Sequence, residues 1–332
     1  MTDLLTVARL AGVSRTTAAR AFSEPEKVRE ATRDKVYAAS ETLGFRPNYV
    51  ARQLRTRSTR IIGVMLPTLR NPVFCEQLQA MENSARERGY SLMIATTDYD
   101  ADRESRVLEN MLRQRVDGMI LTVANACESA CLRLLAQESL PAVLVHNPAA
   151  SPEFITISVD NRQAICQATR HLLALGHRRI AMIAGPVRQS DRAALRYQGY
   201  CDAMTAAGLP AQPLIEMAHH TRVDVALLRP WLASGSALTA LICTNDLLAL
   251  SAIGGLQRLG WRVPTDISVI GFDGIALGEM VHPSLCSVVQ PQRELGAAAM
   301  ESMMNLLANV SVSSQTLDFT LRQGESIAPA RF

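Results

Sequence analysis

The sequence predicts an all-α head of the helix-turn-helix type joined to a two-lobed α/β core with Rossmann-like parallel sheets. Three observations lead there. Short helical segments punctuated by Gly12, Pro25 and Gly44 fill the first fifty residues. From Ile61 onward, apolar runs alternate with amphipathic stretches. That alternation restarts at "RRIAMIAGP", so the core has two halves.

In the head, Asp3 is placed to cap a first helix over 4–11, and Gly12 ends it where a tight turn requires positive φ. Ser14 caps a second helix over 15–22. Val7, Leu10, Val13, Ala18 and Ala21 are expected to point inward, and Arg15, Thr16, Ala19 and Arg20 outward. Pro25 breaks the chain, and a third helix is expected from Thr32, carrying Val36, Ala39 and Leu43 and stopping at Gly44. Next, "PNYVARQL" offers a short helix over 48–54, too short to be stable alone. Arg55, Arg57 and Arg60 follow it.

Charge separates head from core. Residues 1–60 carry 12 Lys and Arg against 6 Asp and Glu, and the rest carries 22 against 25. A basic head on a slightly acidic body points to a polyanionic partner, and a second helix presenting Arg15 and Arg20 suits a DNA major groove. Seven scattered cysteines form no disulfide framework. The N-terminus has no signal-peptide pattern and no run of 18 apolar residues occurs, so a cytoplasmic protein is expected.

In the core, "RIIGVMLP", "YSLMIATT", "GMILTV" and "LPAVLVHN" read as strands of one lobe. A helix ending at Gly89 and another over 103–114 separate the first three. "RRIAMIAGP", "ALTALICTN" and "DISVIGFDG" supply the second lobe. Two such lobes leave a cleft at the C-terminal ends of their strands. No dinucleotide glycine fingerprint follows "RIIGVMLP", "IAGPVRQS" is no P-loop, and no nucleophile elbow or zinc-helix motif occurs. An enzyme is therefore not expected. Cofactors and metals are not expected either: His219 and His220 lack convergent ligands, and Cys127 and Cys131 read as small helix residues.

The ordered motifs "TVARLAGVSRTTAARAF", "PNYVARQL", "STRIIGVMLP", "NPVFCEQL", "LGHRRIAMIAGP", "CTNDLLALSAIGGLQRLGWRVPTDISVIGFDG" and "HPSLCSVVQP" resemble bacterial regulators of the lactose/galactose repressor (LacI/GalR) family over nearly the whole chain. The phrases "LPTLRNPVF" and "LDFTLRQGESI" resemble its gluconate-type branch. The resemblance implies a repressor of carbohydrate genes. It would bind a near-palindromic double-stranded DNA operator as a homodimer, under control of a small sugar effector. Two alternatives stay open: a carbohydrate-binding protein without gene regulation, and a regulator using a protein co-repressor.

The resemblance also assigns residues. Arg15, Thr16 and Arg20 would read bases, Ser14, Arg29 and Thr32 would contact phosphates, and Thr17 would be a further DNA-binding position. Leu54, with Asn48 and Ala51 beside it, would wedge into the minor groove. The implied divisions are a head over 1–46, a hinge over 47–60 and a core over 61–332 of the periplasmic-binding-protein-like type I fold. Lobe 1 would span about 61–159 and 290–317, and lobe 2 about 160–289 and 318–328. Phe74, His146, Arg196, Asn245, Asp273 and Gln290 would bind the effector. Asp246 reads as a helix N-cap. His146, Asn147 and Gly274 stand where the family often has Asp, Arg and a second Asp, and Arg70, Arg188 and Arg192 would lie near the pocket. Such a pocket suits an acidic or phosphorylated sugar. "TAAR" in place of the usual "TVSR" and Ser23 in place of Asn point to an unusual operator preference.

Overall fold

The computed structural model describes residues 3–45, 58–149, 152–232 and 238–331. It divides into two units, 1–59 and 60–332. The expected hinge residues Asn48, Ala51 and Leu54 lie outside the described residues.

The first unit holds α1 (Leu4–Leu10), α2 (Arg15–Ser23) and α3 (Glu30–Thr42), with a 3-10 turn over Pro25–Lys27. Asp3 caps α1 by accepting from Thr6 N, and Ser14 caps α2 by accepting from Thr17 N. Gly12 and Gly44 adopt φ of 66° and 57°, conformations that a β-carbon would strain. Small side chains bring the helices together: Ala8, Ala11, Ala18, Ala21 and Ala39 are buried with Val7 and Val36. Leu10 is not among them and is 55% exposed. Ala8 and Ala11 set the buried stripe on one side of Val7, and at about 100° per residue Leu10 falls off its other edge. Helix α3 begins at Glu30, two residues before the expected Thr32, because an acidic residue in the first turn suits the helix N-terminus.

The second unit contains two six-stranded sheets. Its strands are β1 (Ile61–Leu66), β2 (Ser91–Thr96), β3 (Gly118–Leu121), β4 (Ala142–Val145), β5 (Ile155–Val159), β6 (Ile180–Ala184), β7 (Ile215–Glu216), β8 (Ala240–Cys243), β9 (Ser268–Asp273), β10 (Cys286–Val289), β11 (Gln315–Leu317) and β12 (Thr320–Arg322). Lobe 1 has the order β11-β5-β4-β3-β1-β2, all parallel. Lobe 2 has the order β12-β10-β9-β8-β6-β7, parallel except for β12. The chain passes between sheets after β5, after β10 and between β11 and β12.

The helices of this unit are α4 (Pro72–Glu87), α5 (Ala101–Arg113), α6 (Ala130–Gln137), α7 (Asn161–Ala174), α8 (Asp191–Ala206), α9 (Asp246–Arg258) and α10 (Gln292–Leu307). Three boundaries differ from expectation, each through a cap. Asp100 accepts from Asp102 N and Arg103 N and starts α5 at Ala101. Ser129 starts α6 beyond Cys127, so only Cys131 of that pair is helical. Asn245, not Asp246, caps α9. Central strands β3, β4, β6 and β8 are buried throughout, as parallel strands covered on both faces must be.

Helices α7 and α8 meet at Gly199, where an added β-carbon would lie 2.0 Å from Arg162 O. Backbone on both sides leaves little room to relax. Gly199→Ala is expected to cost about 1–3 kcal/mol by overpacking, read as a lower urea midpoint with an unchanged slope.

Candidate functional site

Two surfaces carry the predicted functional residues. On the head, Arg15, Thr16 and Arg20 are exposed along α2, and Arg29 is exposed at the start of α3. Thr32 and Thr17 are half-buried. The Ser14 and Thr17 hydroxyls lie 2.9 Å apart, and Ser14 Oγ accepts from Thr17 N at 3.0 Å. These two hydroxyls therefore fix the N-terminus of α2, while the arginines project from it. Tyr37 OH donates to Ala21 O at 3.0 Å and ties α3 to α2.

The second surface is the cleft between the lobes. A pocket there has about 460 Å³ of space between its walls, part of it open to solvent. The structure brings together around it all six residues predicted from the resemblance: Phe74, His146, Arg196, Asn245, Asp273 and Gln290. Arg192 lines it too, but Arg70 and Arg188 do not; both are exposed, outside the cleft.

Lobe 1 contributes Phe74 from the first turn of α4 and His146 from the end of β4, their rings edge to face at 5.8 Å. Burial, reinforced by Arg192 and Arg196, drives the His146 pKa down to about 3, so its imidazole is neutral. Lobe 2 contributes Arg196 from α8, whose guanidinium lies 3.5 Å from the centre of the Phe272 ring. Its Nε donates to Asn161 Oδ1 at 2.7 Å and its Nη1 to Thr244 O. Burial lowers its pKa to about 10, which leaves it cationic at neutral pH. Asp273 ends β9 with φ 111°. It accepts from Asn71 Nδ2 of lobe 1 at 3.0 Å and from Gln290 Nε2 at 2.9 Å. Burial raises its pKa, opposed by Arg196 and these hydrogen bonds.

Asn245 lines the pocket with its side chain already engaged. Its Oδ1 accepts from Leu248 N, and its Nδ2 donates to His220 O at 2.6 Å. Asp246 sits behind the pocket, fully buried, accepting from Ser287 Oγ at 2.5 Å and Ile275 N at 2.8 Å. It braces the ends of β9 and β10 rather than capping a helix.

Sequence reasoning missed a polar latch beside the pocket. Asp191 N donates to Ala124 O at 2.9 Å. Its Oδ2 accepts from Ala126 N at 2.9 Å and Asn147 Nδ2 at 2.8 Å. Arg192 Nη1 donates to Val123 O at 2.7 Å. Asp191 and Arg192 belong to lobe 2 and their partners to lobe 1, so these bonds hold the lobes together. Asn71 and Tyr99 of lobe 1 and His220 of lobe 2 were also missed. Asn71 lay within the quoted "NPVFCEQL" stretch, and His220 was considered only as a metal ligand.

Three buried polar atoms at the pocket have no hydrogen-bond partner: Arg192 Nη2, His146 Nε2 and Gln290 Oε1. Such atoms are costly unless something else satisfies them. Among the described residues no His, Cys, Asp and Glu cluster could hold a metal ion, and no helix is long and apolar enough to cross a membrane.

The family model for bacterial regulatory proteins of the lacI family matches residues 3–48, and that for periplasmic binding proteins and the sugar binding domain of the LacI family matches residues 59–322. The chain belongs to the LacI family. It is 34% identical to the HTH-type transcriptional regulator GntR of Escherichia coli (strain K12), over 97% of each chain. It is 32% identical to catabolite control protein A of Priestia megaterium, over 95% of this chain and 96% of that one. Its fold matches the lac repressor dimer bound to operator and the anti-inducer ONPF with a TM-score of 0.88, at 28% identity, over 98% of this chain and 99% of that one. It is a DNA-binding transcriptional regulator of the LacI family, not an enzyme.

Glu104 adds a pH dependence to the cleft. Its Oε1 accepts from Ala124 N at 2.6 Å, just behind the latch, and burial raises its pKa to about 7. Its pKa in the unfolded chain is near 4.5. Between those values the unfolded chain releases a proton that the folded protein keeps. Stability from this group is therefore complete below about pH 4.5 and is lost as pH rises to about 7. Glu104→Gln keeps the acceptor and removes the titration. Its stability relative to the parent should rise between pH 5 and 7.5, by on the order of 1–3 kcal/mol, in denaturant melts at each pH.

Proposed function

We propose that this regulator is a homodimeric repressor of carbohydrate genes whose effector is a small sugar acid bound between the lobes. The observation that carries the effector class is Arg192. Arg192 lines the pocket with its side chain almost wholly buried, its Nη1 is committed to the latch, and its Nη2 has no hydrogen-bond partner. A carboxylate or phosphate oxygen is the natural acceptor for a buried guanidinium N–H. Arg196 adds a second positive charge and the histidines there are neutral; against them stand Asp273 in the lining and Asp191, whose Oδ1 accepts from Arg192 Nη1 at 3.0 Å.

On the DNA side, Arg15 and Arg20 suit guanine, whose O6 and N7 match the paired donors of a guanidinium. Thr16 reads beside them. Ser14, Thr17, Arg29 and Thr32 position the helix on phosphates, and Asn48, Ala51 and Leu54 engage the minor groove at the centre of a near-palindromic operator. Effector binding acts on the angle between the lobes through the three crossing segments.

The test is a thermal-shift panel of D-gluconate, glucose 6-phosphate and D-glucose. A sugar acid at 100 times its Kd should add about 2.7 kcal/mol of stability, and neutral D-glucose should add none. Arg192→Gln should weaken sugar-acid binding by about tenfold or more, because it removes a charge-assisted contact. Stabilisation by D-glucose alone would overturn the effector class. In operator selection, Arg15→Ala should relax base preference at one symmetric pair of positions, at about 1–3 kcal/mol per site.

A further inference from the structure

The ring of Tyr99, from lobe 1, stacks on the ring of His220, from lobe 2, with centroids 3.7 Å apart and planes 24° apart. Both rings line the pocket. We propose that this pair is an aromatic clasp: it holds the cleft shut and limits the effector to the size of a single sugar unit. The size limit rests on the sugar-acid reading above; the clasp itself does not.

Each half is held in place by its own surroundings. Asp98 and Tyr99 have φ of 53° and 62°, a left-handed pair that residues with a β-carbon rarely adopt. The turn is fastened on both sides. Thr97 N and Asp98 N donate to Leu66 O and Pro67 O at 3.0 and 2.7 Å, Asp98 pairs with Arg103, and Asp100 caps α5. Backbone strain retained under such restraint directs the Tyr99 ring toward the opposite lobe. On the other side, His220 O accepts from Asn245 Nδ2, and His220 Nε2 lies 3.2 Å from Gln189 Oε1. His219 and Arg222 close the loop with an antiparallel bridge. Gly185 leaves room for the histidine: an added β-carbon there would lie 2.6 Å from His220 Nδ1 and 2.7 Å from its Cα.

The contact is apolar in character although both rings are polar at their edges. Burial and the neighbouring Arg192 hold His220 near pKa 4, and burial pushes the Tyr99 phenol up to about 12. Two neutral rings stack across the cleft over the whole physiological pH range. Because the pair joins the lobes, a ligand extending past one sugar ring on this side meets the rings before it can lie within a closed cleft.

The test uses the full-length protein with Tyr99→Ala and Tyr99→Phe. Without ligand, hydrogen exchange is followed at the Ala126 and Asp191 amides, which donate across the cleft. Expected is exchange about tenfold faster in Tyr99→Ala and unchanged in Tyr99→Phe. Unchanged exchange in Tyr99→Ala overturns the clasp. If that variant does not fold, His220→Ala is read the same way. Thermal shifts with D-gluconate and with lactobionate, a two-ring sugar acid, then test the size limit. Lactobionate should stabilise Tyr99→Ala and not the parent. Equal stabilisation of the parent by both overturns the size limit. If neither acid stabilises either protein while the amides respond as expected, the sugar-acid reading and its size limit fall and the clasp stands.

Discussion

The carboxylate of Asp273 is the point on which the cleft depends. It sits at the end of β9, 4% exposed, and receives one amide from Asn71 of lobe 1 and another from Gln290 at a crossing between lobes. A buried carboxylate without partners is unfavourable by several kcal/mol. The two amides and the nearby Arg196 therefore fix the positions of three chain segments at once. Behind it, Asp246 binds Ser287 and the backbone of Ile275, which sets the ends of β9 and β10 and so the place of Asp273 itself. Gly271 allows this arrangement, since a β-carbon there would lie 2.1 Å from Asp246 Oδ1. The fold thus assembles buried charge at the C-terminal ends of two sheets, where strand order reverses and a crevice must open.

Local chemistry was legible in the sequence wherever one segment determines its own structure. Asp3 and Ser14 cap the helices they precede, and the apolar runs from "RIIGVMLP" to "DISVIGFDG" are strands in the expected order. Family resemblance alone carried the six cleft residues; two of them, Phe74 and Arg196, sit on helices α4 and α8, where no strand-end argument reaches. What could not be read were pairings between distant segments. Asp191 meets Asn147, Tyr99 meets His220, and Asn71 meets Asp273, each across the cleft. No period or cap signals such a pair. Arg70, Arg188 and Arg192 look alike in the sequence, yet one is buried in the pocket and two are in solvent. Their difference lies in position: Arg192 starts a helix aimed at the cleft, and Arg188 sits one turn earlier on an exposed 3-10 segment. Leu10 failed for a simpler reason, since a helix of seven residues buries a narrow stripe and small alanines defined its centre.

The latch and the pocket share one residue, and this couples ligand recognition to lobe closure. Arg192 Nη1 belongs to the latch with Val123 O, while Nη2 has no partner. A planar guanidinium fixes the directions of its donors relative to one another. Once the latch positions Nη1, Nη2 is aimed without further loss of freedom. The converse also holds: an anion seated on Nη2 restrains the group that closes the latch.

A cleft closed by its own hydrogen bonds responds to an effector only through groups whose placement differs between closed and open forms. A ligand that binds both forms equally shifts neither, however tightly it binds. The three unpartnered atoms meet that condition by origin. His146 Nε2 comes from lobe 1, Arg192 Nη2 from lobe 2 and Gln290 Oε1 from a crossing segment between them. Their residues line one pocket between the lobes. Each cross-lobe hydrogen bond contributes a net of about 0.5–1.5 kcal/mol, so the five through Asp191, Arg192 and Asp273 together favour the closed form by several kcal/mol. A ligand that satisfies all three atoms adds several contacts of that size or larger, one of them charge-assisted. That sum is comparable to the roughly 5.5 kcal/mol needed to move a two-state equilibrium from one extreme to the other. The polar atoms left unsatisfied at the pocket are therefore what make its geometry responsive.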